Sequence, residues 1–144
     1  MKELKSNKLF YLIVIAVSLI IIFLFFSILL SSPIEVTKVN VVFSTGETTG
    51  FNVDKLDYLN FGRVVPGNSA TKKVFIKNDY GFPITVKIFA SKEIADYVQT
   101  DRDIYIEEGQ EMPIGVLLEV PGDVNFRNYS GSLVFKIYKS EDKG

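Results

Sequence analysis

From Leu9 to Leu30 the chain reads LFYLIVIAVSLIIIFLFFSILL, 22 residues without a charge. A helix of that length covers about 33 Å at about 1.5 Å per residue, enough for a hydrocarbon core of about 30 Å. A helix buried inside so small a protein would carry polar positions along one side, yet here only Tyr11, Ser18 and Ser27 bear a hydroxyl. The stretch predicts a membrane span over residues 9–30, in contact with lipid. It divides the chain into a basic tail (1–8), the span, one domain (34–139) and a disordered C-terminus (140–144). Within the span there is no glycine and no pair of small residues four apart, so it offers no close helix-pairing face and reads as a plain anchor.

Charge sets the expected orientation. Lys2, Lys5 and Lys8 precede the span, whereas Glu35 and then Lys38 are the first charges after it. Flanking lysines stay cytoplasmic, so the domain is expected outside the membrane. The apolar run is longer than the core of a cleaved signal peptide, about 7–15 residues. The exit Leu30-Ser31-Ser32-Pro33 lacks small residues at both positions of an A-x-A-like site. An uncleaved signal-anchor is the expectation, with cleavage near Ser31-Ser32 as the alternative. Only Ser31, Ser32 and Pro33 separate the span from the first strand, which predicts a domain on the membrane surface rather than on a stalk.

Composition narrows the chemistry. Cysteine is absent, so the domain has no disulfide and the chain no cysteine-linked lipid. Histidine is absent too, which removes the commonest general base and metal ligand. Beyond the tail, 13 of the chain's 16 basic residues face 16 of its 17 acidic ones, a net charge of −3. A mildly acidic domain is not a nucleic-acid binder by electrostatics.

Strand patterns follow one another from Ile34. Valines recur through Phe43, and Ser44 to Asn52 is a loop with two glycines. Leu56 to Val65 is a strand, and Val65-Pro66-Gly67-Asn68 carries Pro and Gly where a type II turn needs them. Thr71 to Asn78 alternates, with Val74 and Ile76 on one face; Ile84, Val86, Ile88 and Ala90 alternate after Pro83. Ser91 to Asp103 reads as a helical turn or a loop crossing between sheets. Ile104 to Ile106 is a short strand and Glu107 to Gln110 a turn. Met112 to Val120 is a strand closed by Pro121-Gly122, a second turn of the same chemistry. Asp123 to Asn128 is a loop, and Tyr129 to Lys139 is the last strand. No amphipathic helix of useful length separates these strands, which excludes α/β folds. The pattern predicts an all-β, seven-stranded antiparallel sandwich behind one transmembrane helix.

Leu59-Asn60-Phe61-Gly62-Arg63-Val64-Val65-Pro66-Gly67, then Ala70 to Asn78, then Pro83-Ile84-Thr85-Val86 resemble the opening of MSP/ASH-type immunoglobulin-like domains. Glu108-Gly109-Gln110 and Tyr129-Ser130-Gly131 are similar to that pattern's second half, and the resemblance covers roughly residues 56 to 139. It implies a PapD-like sandwich that serves as an interaction or scaffold module and not as an enzyme. The strand from Ile34 to Phe43 and the membrane span depart from the family. The related pilus chaperones bind by strand addition, which stands as an alternative function.

Sites of chemistry are few. Asp101 and Asp103 flank Arg102, and Glu107, Glu108 and Glu111 follow, without the loop pattern of a calcium site. Asp54 and Asp57 are a carboxylate pair without a pocket signal, so an enzyme using acidic loops is the weaker alternative. No catalytic residue, cofactor, metal or small-molecule substrate is expected. Asn128-Tyr129-Ser130 is a glycosylation sequon on an expected outer loop. In an immunoglobulin-like order, residues 84–90, 112–120 and 130–139 share one sheet. Ile88, Val116 and Phe135 then point inward. Phe89, Leu117, Val134 and Tyr138 form an apolar cluster on the outer face, among Thr85, Lys87 and Lys136. That cluster is the expected surface for a protein partner or a second copy in a cell-surface or envelope assembly.

Overall fold

The structure, a computed structural model, describes residues 2–48 and 58–140. The carboxylates Asp54 and Asp57, residues 49–52 of the 44–52 loop and residues 141–144 lie outside the described residues. The chain forms two compact units, Met1–Ser32 and Pro33–Gly144.

The first unit is helix α1, Lys2–Leu30. It begins seven residues before the uncharged run because the tail has good helix formers and no glycine or proline to stop it. Phe10–Leu29 is long and apolar enough to cross a membrane, and its large side chains are exposed. Ser31 and Ser32 close the helix. Their hydroxyls donate to the carbonyls of Ser27 (2.8 Å) and Ile28 (2.9 Å), two of the acceptors a helix end leaves without partners.

The second unit is built of strands: β1 (Glu35–Thr45), β2 (Tyr58–Val64), β3 (Ser69–Lys77), β4 (Ile84–Ala90), β5 (Val98–Thr100), β6 (Asp103–Ile106), β7 (Glu111–Glu119) and β8 (Asn128–Lys139). They make a five-stranded sheet in the order β2-β1-β8-β4-β6 and a three-stranded sheet in the order β3-β7-β5. The described residues thus hold eight strands, not seven, and one pair, β1 with β2, is parallel. The added strand is β5, within the stretch 91–103 expected as a helical turn or a loop crossing between sheets. Residues 92–97 turn, Ile94 is fully buried, and the chain then pairs with β7. From β2 onward every connection changes sheets. Strands adjacent in sequence therefore face each other across the core instead of pairing side by side.

The alternation read from sequence is the alternation that packs. Val41 and Phe43 of β1, Ile84, Val86 and Ile88 of β4, Ile114, Val116 and Leu118 of β7, and Leu133, Phe135 and Ile137 of β8 are all buried between the sheets. Burying each such side chain contributes about 1.5–3 kcal/mol. At one end Phe43 stacks on Tyr129 (4.6 Å between ring centres), and Tyr97 meets both rings edge-on. Burial raises the Tyr97 hydroxyl above its ordinary pKa.

Turn chemistry holds at the first Pro-Gly and not at the second. Gly67 has φ 83°, and Asn68 N–H donates to Val65 O at 3.1 Å. Gly122 does not adopt positive φ. Instead Gly67 N–H donates to Val120 O (2.8 Å) and Val120 N–H to Asn68 O (3.1 Å), so the end of β7 is fastened to the first turn.

The opposite end is organised by Asn78, which is completely buried. Its Nδ2 lies 3.0 Å from Phe82 O, 3.1 Å from Ile106 O and 2.9 Å from Glu107 O, and its Oδ1 accepts from Tyr80 N–H at 3.0 Å. Its backbone pairs with Gln110 O and Gly109 N–H, both at 2.9 Å. One amide thus joins the exit of β3, the entry to β4, and the β6–β7 turn. Asn78→Ala leaves several buried polar groups without partners and should cost about 2–3 kcal/mol or more. Asn68→Ala, at an exposed side chain, should stay within about 0.5 kcal/mol. Equal loss in the two variants, measured by denaturant unfolding, would contradict this role for Asn78.

Candidate docking face

The outer side of the five-stranded sheet is set by register. Phe89 pairs with Val134 and Val134 with Lys38; Lys87 pairs with Lys136 and Lys136 with Val36; Thr85 pairs with Tyr138 and with Tyr105. Because side chains alternate, these residues share one face, opposite Ile88 and Phe135. The structure therefore brings Phe89, Val134 and Tyr138 together. It does not bring Leu117 to them. Strand β7 belongs to the other sheet, where Leu117 lies opposite Thr71 and Gln99. The expected sharing of one sheet by 84–90, 112–120 and 130–139 is corrected in this respect: β7 crosses the core and faces the sheet it was expected to join. Inward placement of Ile88, Val116 and Phe135 holds all the same, since burial depends on parity and not on which sheet a strand enters.

Sequence reasoning missed Val36 and Lys38. They join the face because β1 pairs with β8 from Glu35 to Ser44. Their alternation was visible, but nothing in it shows which strand β1 adjoins. Phe89 is 49% exposed and Val36 55% exposed, large fractions for apolar side chains within strands. Lysines cover part of the aromatic surface. Lys136 Nζ sits 5.2 Å from the centre of the Phe89 ring and Lys87 Nζ 5.5 Å from that of Tyr138. Two carboxylates approach these lysines: Asp103 lies 3.8 Å from Lys87, and Glu93 is near enough to Lys38 for the lysine to help hold its carboxyl below the ordinary pKa, after its own hydrogen bonds. The face is thus basic and apolar on a domain whose overall charge is negative.

On the other side of β1 from Val36 and Lys38, the first residue of the strand is tied to the loop before β4. Tyr80 donates its hydroxyl proton to Glu35, and Thr37 Oγ1 donates to the same carboxylate at 3.0 Å. The Tyr80 bond, then the Thr37 bond, hold the Glu35 carboxyl below its ordinary pKa, and the same carboxylate raises that of Tyr80.

The other singled-out residues are dispersed. Asn128 is exposed at the start of β8, beside a shallow hollow of about 560 Å³ that also includes Tyr58 and Asn60. Glu107, Glu108 and Glu111 surround the turn at Gly109, whose φ is 72°. Among the described residues no three acidic side chains converge as a metal site would require. Compared with protein families, with characterised proteins and with solved structures, the chain matches none of them.

The Glu35 pair has a signed pH dependence. A lowered folded-state pKa gives stability that is present above the ordinary carboxylate range and lost as pH falls through the lowered value. Tyr80→Phe should move the Glu35 titration, followed by the carboxyl ¹³C shift, upward toward its ordinary range. An unmoved titration would contradict the bond.

Proposed function

We propose that this chain is a single-pass, membrane-anchored binding or scaffold subunit, with its N-terminus cytoplasmic and its β domain outside. The domain docks a protein partner through the outer face of the five-stranded sheet. The observation that carries this reading is Phe89, half exposed near the end of β4, aligned with Val134 and flanked by Lys38, Lys87 and Lys136. An apolar patch rimmed by charge is a recognisable docking surface. The rim also selects among occupants. Two copies packed face to face would set lysines against lysines, because a two-fold interface presents one patch to itself. A partner surface with carboxylates around apolar groups is complementary instead. The lysine asymmetry about the span supports the orientation. Pro66-Gly67 and the buried Asn78 support keeping the domain with MSP/ASH-type immunoglobulin-like domains, with β1 as an elaboration.

Crosslinking in native membranes tests this. Phe89→Asp should leave the fold intact, within about 0.5 kcal/mol for an exposed site, and should remove the crosslinked species. Leu117→Asp, on the opposite sheet, should retain it. Loss with Leu117→Asp and retention with Phe89→Asp would overturn the assignment.

A further inference from the structure

A second feature lies where β4 outruns its neighbour. Strand β6 pairs with β4 only from Ile84 to Lys87, and Ile88 N–H then donates to Arg102 O at 3.1 Å. Ala90 points its backbone to the same side two residues later, and no hydrogen bond from the described residues meets it there. Between this stretch and β5 the two sheets part to leave a cleft of about 780 Å³. Its floor is Ile88 and Val98, both buried, and Phe89, Ala90 and Ala95 extend the apolar wall.

Two polar groups in the lining have no partner among the described residues. Thr100 Oγ1 is a buried side-chain polar atom without a hydrogen bond, a state that ordinarily costs about 1–3 kcal/mol. Arg102 makes no ion pair among the described residues, while the lining's one carboxylate, Asp103, lies beside Lys87. A guanidinium fits a carboxylate through two parallel hydrogen bonds. A hydroxyl can donate to the same anion.

We infer that this cleft binds a carboxylate carried on an apolar body, with the anion at Arg102 and Thr100 and the body over Ile88, Ala95 and Val98. The same chemistry occurs in a free aliphatic acid and at the C-terminal residue of a peptide. The inference stands apart from the docking face, although Lys87, Phe89 and Asp103 border both, so its test leaves those three untouched.

Full-length protein in phospholipid nanodiscs would be titrated with hexanoate and with N-acetyl-leucyl-leucine, each against its amide, while amide shifts are followed by NMR. A carboxylate probe should give saturable shifts at Ala90, Ala95 and Thr100. Its amide should bind about tenfold more weakly or not at all, as loss of a charge-assisted bond requires. Arg102→Gln, at an exposed residue, should weaken the acid about tenfold, leave amide binding unchanged and preserve the rest of the spectrum. Tighter binding of the dipeptide identifies a chain terminus as the ligand; tighter binding of hexanoate identifies a free acid. Absence of saturation with both acids, equal binding of acid and amide, or an Arg102→Gln protein that binds as before would overturn the inference. None of those results would bear on crosslinking through Phe89.

Discussion

The uncharged run Phe10–Leu29 of α1 is long and apolar enough to cross a membrane, and that constraint divides the chain. The side chains of Phe10–Leu29 are large, apolar and exposed. Lipid is the solvent that suits them, because a helix satisfies its own backbone and asks only for an apolar surround. The domain that follows folds from what remains after the apolar helix. With no disulfide available, it relies on the core between its two sheets and on polar contacts at their ends.

Those end contacts explain why so small a two-sheet domain tolerates chain crossings at nearly every step. From β2 to β8 each connection passes from one sheet to the other, so the loops bear the task of joining them. Asn78 does this at one end through side chain and backbone together. Gly67 and Val120 do it at the other through paired backbone bonds. The three-stranded sheet is narrow: β3 and β7 pair along nine residues, whereas β5 has only three. The opening beside β5, where Thr100 Oγ1 has no partner, is where the ties are missing.

The period of two was legible in the sequence wherever a strand has one wet face. Val74 and Ile76, Ile84 to Ile88, and Met112 to Val120 all keep the sides that their alternation assigns. Which sheet a strand joins was not legible, because parity says only in or out. That is why Leu117 was grouped with Phe89, Val134 and Tyr138 though it lies on the other sheet, and why Val36 and Lys38 were left out of the group. Strand β5 was hidden by the charges around it and by the helical spacing of Ile94 and Val98, which instead reflects a tight turn carrying Ile94 into the core. Gly67 was readable because its turn needs positive φ. Gly122 carries the same dipeptide, yet its backbone is determined by the bonds between Val120 and the first turn.

The absence of cysteine makes the central claim, an anchored domain on the far side of the membrane, directly measurable. Ser6→Cys places a thiol in the tail and Ser69→Cys one at an exposed position of β3. With a membrane-impermeant maleimide, the account predicts labelling of Ser69→Cys in intact cells and of Ser6→Cys only after permeabilisation, with both proteins in the membrane fraction. Labelling of Ser6→Cys from outside, or a soluble domain that has lost residues 1–32, would contradict it.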